Sequence, residues 1–197
     1  MDFEGVKLFI INKLKSELNP CLYYHDINHT LDVLSSAQRI AKLEKVSEEE
    51  LLLINTASLF HDSGMLRTYT GHEEASCDIA EQYLPDYGFD SHQLHQINGM
   101  IMATQLPQSA SGRLEQIICD ADLDYLGRED FFMISHRLKL EWNLQNFKVT
   151  TLKEWYFLQI DFLGNHQYFT KSAIGTRDAG KQQNLSEIKQ IINGAAR

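Results

Sequence analysis

Proline is scarce in this sequence. The 197 residues include three, Pro20, Pro85 and Pro107, and each falls where a periodic apolar pattern stops. A proline inside a helix removes a backbone donor and clashes with the preceding turn, so this placement leaves long helix-compatible stretches intact. Cysteine is as rare. Cys21, Cys77 and Cys119 are odd in number and widely spaced, which fits neither a disulfide framework nor a zinc ribbon. A reducing cytoplasm is the compartment expected from that usage. No apolar run approaches the length of a membrane span. Residues 1–15 break theirs with Asp2, Glu4, Lys7, Lys13 and Lys15, unlike a secretory leader. No membrane partner is expected.

Positive charge is also short. Lys and Arg total 18 against 27 Asp and Glu, a formal charge of -9. Affinity for polyanions rests on Lys and Arg neutralising phosphates, so this balance argues against a nucleic-acid polymer as partner. A small phosphorylated substrate is still compatible, because a bound cation reverses the charge of its surroundings. Sustained strand-like alternation, internal repeats and low-complexity tracts are missing as well.

What is present is 43% apolar and 23% charged, the balance of a soluble globular chain. The length suits one domain over residues 1–197, with enough surface to bury a core. An all-α helical bundle is expected. Apolar spacing predicts helices over residues 3–18, 28–43, 47–61, 73–84, 91–103, 112–126, 129–145 and 151–163, and a last one over 170–197 interrupted around Gly175 to Gly180. Ser47 with Glu50 is a capping-box signature for the third. In the second, Leu31, Leu34, Ala37 and Ala41 are expected inward.

Polar segments interrupt these apolar helices at their ends: Tyr24-His25-Asp26-Ile27-Asn28-His29, Phe60-His61-Asp62-Ser63-Gly64, Gly71-His72-Glu73-Glu74 and Asp120-Ala121-Asp122-Leu123-Asp124. Imidazole with carboxylate is a donor set for Mn, Fe, Co, Ni, Mg or Zn. Neighbours on a helix diverge by about 100°, so His61 and Asp62 reach one ion only where a helix ends. Asp120 and Asp122, two residues apart, face different ways and compete for one ligand position.

A His, then a His-Asp pair, then a distant Asp, all on helices, resembles the signature of the HD superfamily of metal-dependent phosphohydrolases. The likeness extends to the Gly71-to-Ser76 stretch and to His166-Gln167-Tyr168-Phe169-Thr170, with its core at about residues 23–127. The resemblance implies one divalent metal on His29, His61, Asp62 and Asp122, the family pattern favouring Asp122 over Asp120. It also implies His25 as general acid, and a place for His72 in substrate contact, proton transfer or a looser second site. Two-metal relatives carry a further His near the end of the next helix, where this chain has Ile101-Met102-Ala103-Thr104-Gln105, so a single ion is expected.

The chemistry implied is hydrolysis of a small phosphate ester, such as a nucleotide. Asp62, Glu73 or Glu74 is expected to take the proton of the attacking water. Arg67, five residues past Asp62, is a candidate for holding phosphate, and Lys139, in a basic-x-acid pair with Glu141, is a second. A non-catalytic metal- or nucleotide-binding sensor is the competing class, and HD-type oxygenase chemistry needs two irons. Trp142, Trp155 and Phe157 belong to the core or to an interface, the second being compatible with a homodimer.

Overall fold

Local sequence signals set most helix starts. The computed structural model describes residues 1–194. In it Asp2 caps α1 (Phe3–Glu17), its carboxylate accepting from the Gly5 N–H at 2.9 Å. Val6, Ile10 and Leu14 form the buried stripe of α1. Asp26 caps α2 (Ile27–Glu44), and Ser47 with Glu50 closes the expected capping box on α3 (Glu48–Phe60). A second box, Asp90 with Gln93, opens α5 (Ser91–Ala103). Gly71 enters α4 (His72–Tyr83) with φ of +71°, a left-handed conformation that glycine adopts without a Cβ penalty.

The helix expected over residues 112–126 is shorter. α6 runs Arg113–Asp122, and a separate 3-10 turn, Asp124–Gly127, follows. Leu31 is 37% exposed and Val33 and Ile40 take inward positions beside Leu34, Ala37 and Ala41, because the buried face of α2 follows Thr30, Val33, Leu34, Ala37, Ile40 and Ala41 at helical spacing and leaves Leu31 at its edge.

The chain forms two compact units. The first comprises Met1–Pro20 and His25–Asp122. Within it α2 packs on α3 and α6, α3 packs on α1 and α5, and α4 packs on α5 and on the 3-10 turn Ser63–Leu66. α3 is the central element: Leu53 to Phe60 are buried without a break, so its C-terminal end delivers the next residues into the interior.

The second unit comprises Cys21–Tyr24 and the chain from Leu123 onward. It holds α7 (Phe131–Leu144), α8 (Leu152–Asn165) and α9 (Lys171–Gly194). Tyr24, Tyr125, Leu126, Phe131, Leu163 and Ile188 meet in its core. Trp155 is fully buried and donates to Ser135 Oγ at 3.0 Å, Trp142 is half-buried against it, and Phe157 is half exposed.

The interruption expected near Gly175 to Gly180 does not occur: α9 is continuous to Gly194, and the expected end at Arg197 lies outside the described residues. Gly180 meets packing. A Cβ there would come within 2.2 Å of the Gly127 carbonyl oxygen, so this glycine lets α9 lie against the 3-10 turn Asp124–Gly127. Among the described residues there is no strand, and no helix is long and apolar enough to cross a membrane.

Candidate metal centre

Four side chains of the first unit converge from three helix ends. Asp26 Oδ1 accepts from the His29 N–H at 2.9 Å, which fixes the first turn of α2 and holds His29 there. α3 stops at Phe60. His61 is its last helical-geometry residue, and Asp62 leaves the helix with φ of -106° and ψ of 8°. That turn rotates the Asp62 carboxylate onto the side of His61, which adjacent residues inside a helix do not achieve. Asp122, the last residue of α6, supplies the fourth group.

The donor atoms are close. His29 Nε2 lies 3.3 Å from Asp62 Oδ2, 3.2 Å from Asp122 Oδ1 and 3.4 Å from His61 Nε2. His61 Nε2 lies 3.2 Å from Asp62 Oδ2 and 3.7 Å from Asp122 Oδ1. All four side chains are largely buried. His61 Nδ1 donates to the Ser58 carbonyl at 2.9 Å, which leaves Nε2 as the ring nitrogen aimed at the cluster.

Electrostatics without a cation are those of trapped protons. Burial opposes charge on His29, but the Asp122 and Asp62 carboxylates outweigh it and lift the imidazole to about 9. His61 is raised well above its ordinary value, burial again being overcome by Asp62 and Asp122. Burial would raise the Asp62 carboxyl, yet the charges of His61 and His25 and the nearness of His29 hold it well below the usual carboxylate range. Asp122 is held at about 2 by His29 and His61 against the same burial.

A divalent ion fits this donor set. Asp62 Oδ2 is buried and receives no well-angled hydrogen bond, although two imidazole nitrogens lie near it. Such an orphaned anionic oxygen is costly unless a cation meets it. Ligand bonds of about 2.1 Å put neighbouring donors roughly 3.0–3.4 Å apart, close to the spacing found. His29, His61, Asp62 and Asp122 would hold the ion.

His72 faces the other oxygen of the same carboxylate. Its Nε2 lies 3.3 Å from Asp62 Oδ1, and its Nδ1 donates to the Tyr69 carbonyl at 3.1 Å. Burial disfavours charge on His72, but Asp62 and Glu73 lift it to about 9. Glu73 is buried with Oε1 at 3.6 Å from His72 Nε2, whereas Glu74 is exposed. The His25 ring is 5.4 Å from that of His72 and 6.1 Å from that of His29, and His25, Asp62 and His72 offer ligand atoms within 4.8 Å of one another.

The other candidates are not among these ligand atoms. Asp120 is fully buried and is not in either group of ligand atoms. Arg67 directs its guanidinium to Gln82 Oε1 at 2.8 Å and Asp78 Oδ2 at 3.8 Å. Lys139, in the second unit, donates to the Thr150 carbonyl at 2.8 Å. Sequence reasoning missed Asp26, although an Asp three residues before His29 is an ordinary N-cap signal. It also missed the Tyr69 and Ser58 carbonyls, for which no side-chain signal exists.

Comparison with known proteins follows the same lines. The HD domain profile matches residues 26–124. A predicted HD superfamily hydrolase from an uncultured Thermotogales bacterium is 21% identical with a TM-score of 0.59, covering 98% of this chain and 90% of its own. The Lin1889 protein of Listeria innocua is 17% identical with a TM-score of 0.65, covering 98% of both chains. Comparison with curated proteins finds no match. The profile match spans half of the chain and contains all four converging residues, and the chain belongs to the HD-domain family.

Proposed function

We propose that this protein is a metal-dependent hydrolase acting on a small phosphate ester, such as a nucleotide. The observation that carries the reading is the convergence of His29, His61, Asp62 and Asp122, with Asp62 Oδ2 buried and unmet by a well-angled hydrogen bond. One of the HD-fold neighbours is a predicted HD superfamily hydrolase, which supports the same class of reaction.

When bound, a divalent cation of the Mn, Fe, Co, Ni, Mg or Zn group supplies a water of lowered pKa and a Lewis acid for a phosphoryl oxygen. The chain supplies the rest. Asp62 and buried Glu73 are the carboxylates placed to accept a proton from an attacking water, while exposed Glu74 is not. His25 and His72, side by side next to Asp62, are the groups placed to donate one to a leaving oxygen. Arg67 and Lys139 are engaged with Gln82 and the Thr150 carbonyl, so phosphate charge falls to the imidazoles and the cation. Cys21, Cys77 and Cys119 form no disulfide, in keeping with a cytoplasmic location.

One observation favours a second reading. His25, Asp62 and His72 form a further group able to hold a cation, and Asp62 Oδ2 also lies beside His29 and His61. Residues 101–105 add no imidazole to it. Purified protein prepared without chelators should carry close to one equivalent of metal, or two on this second reading. It should hydrolyse members of a panel of phosphomonoesters, nucleotides and cyclic nucleotides with Mn, Co, Ni or Mg. Metal and ligand binding with no turnover on any of them would identify a sensor instead.

A further inference from the structure

The turn that carries Asp62 is fastened to the helix that carries His72 by a contact that uses no ligand. Gly64, two residues past Asp62, donates its N–H to Ser76 Oγ at 2.7 Å, and both residues are buried. Ser76 sits one turn after His72 on α4. The backbones touch: a Cβ on Gly64 would fall 1.9 Å from the His72 carbonyl oxygen and 2.8 Å from the Ser76 nitrogen. The Gly64 carbonyl in turn accepts from the Arg67 and Thr68 N–H groups at 2.8 and 3.0 Å, which closes the Ser63–Leu66 turn on itself.

We propose that Ser76 is a positioning residue for the metal centre: its bond to Gly64 sets the register between the Asp62 turn and α4, and thereby places Asp62 Oδ1 against His72 and Oδ2 against His29 and His61. This rests on the metal-binding reading above. Two features separate the role from simple support of the fold. α4 is also held by α5, with Ile79 and Ala80 buried, so the helix has other anchors. Loss of the hydroxyl acceptor leaves the buried Gly64 N–H unsatisfied and removes a side-chain hydrogen bond that ties the turn to α4.

The test is a Co2+ titration of the metal-free full chain, read by cobalt absorption, on wild type, Ser76→Ala and Ser76→Thr, with the metal-free thermal midpoint measured for each. Ser76→Ala should bind Co2+ about tenfold more weakly, the scale of losing an outer partner of a metal ligand. Its rise in midpoint on adding Co2+ should shrink, and Ser76→Thr, which keeps the hydroxyl, should stay within about threefold of wild type. Equal affinity in Ser76→Ala and wild type overturns the proposal and leaves the metal site standing. A Ser76→Ala chain that does not fold makes the contact a fold determinant and also overturns it. A wild-type chain that takes up no Co2+ overturns the metal-binding reading itself, and this role with it.

Discussion

His29 Nε2 and His61 Nε2 face each other at 3.4 Å, each within 3.7 Å of the Asp122 carboxylate. Two buried ring nitrogens so placed share a proton or a cation with that carboxylate, and which they share depends on pH.

Metal uptake should therefore release protons. His29 stands at about 9 and His61 is raised, so at neutral pH a divalent ion displaces protons from the imidazoles. Apparent affinity should climb from pH 6 to about 9 and level off above it, as measured by calorimetry in buffers of different ionisation heat. A Kd constant over that range contradicts the assignment.

The metal-free protein should show the opposite trend. A raised His29 pKa contributes stability that is fully present below about 6.5, the unfolded value, and is lost as pH rises through about 9. Asp122, held at about 2, contributes stability present above about 3.9 and lost as pH falls through 2. Thermal midpoints in chelator should decline between pH 6.5 and 9.5, and added metal should flatten that decline.

Asp122→Ala and Asp120→Ala should separate binding from folding. Asp122 touches both histidines, so its removal should weaken metal binding by more than about 100-fold, beyond the cost of losing an outer partner. Asp120 is fully buried, and its removal should lower stability by about 1–3 kcal/mol with metal still bound. Metal analysis and denaturant melts on both variants decide between them, and the reverse pattern would make Asp120 the ligand.

Arg67→Ala should leave hydrolysis within about twofold, because its guanidinium is spent on Gln82 and Asp78. A tenfold rise in KM at constant kcat would instead show that it reaches substrate.

Two glycines of α9 should respond oppositely to alanine. Gly180→Ala drives a Cβ into the Gly127 carbonyl and should cost about 1–3 kcal/mol. Gly175 is exposed with nothing within 4 Å, and Gly175→Ala should stabilise the helix by about 0.5–1 kcal/mol. Thermal denaturation of the pair measures both.

These glycines show where the sequence stops being informative. Propensity alone reads Gly175 and Gly180 as a weak point, because it registers missing side chains and not the Gly127 backbone that one of them receives. The His61-Asp62 pair, by contrast, is readable: a largely apolar run before two polar residues points to a buried helix end, and the structure ends α3 there. Helix starts at Ser47 and Thr151 are readable, each carrying a capping box, whereas the lone Asp26 cap of α2 was missed. The partners of Arg67 and Lys139 are not, since a long flexible side chain reaches whichever acceptor folding brings near. Ser76 was unreadable for another reason. Its partner is a backbone N–H 12 residues earlier, and backbone groups carry no residue signal.

His61 and His72 are each anchored through Nδ1 to the carbonyl three residues upstream, Ser58 and Tyr69 respectively. Rings pinned in that way have surrendered their rotational freedom before any ion arrives, so capture carries little ordering entropy. A cage that stiff selects by size and softness. Calcium, which seeks six to eight oxygens at about 2.3–2.6 Å, meets the ring nitrogens of His29 and the pinned His61 where it needs oxygen, and smaller nitrogen-tolerant cations have the advantage.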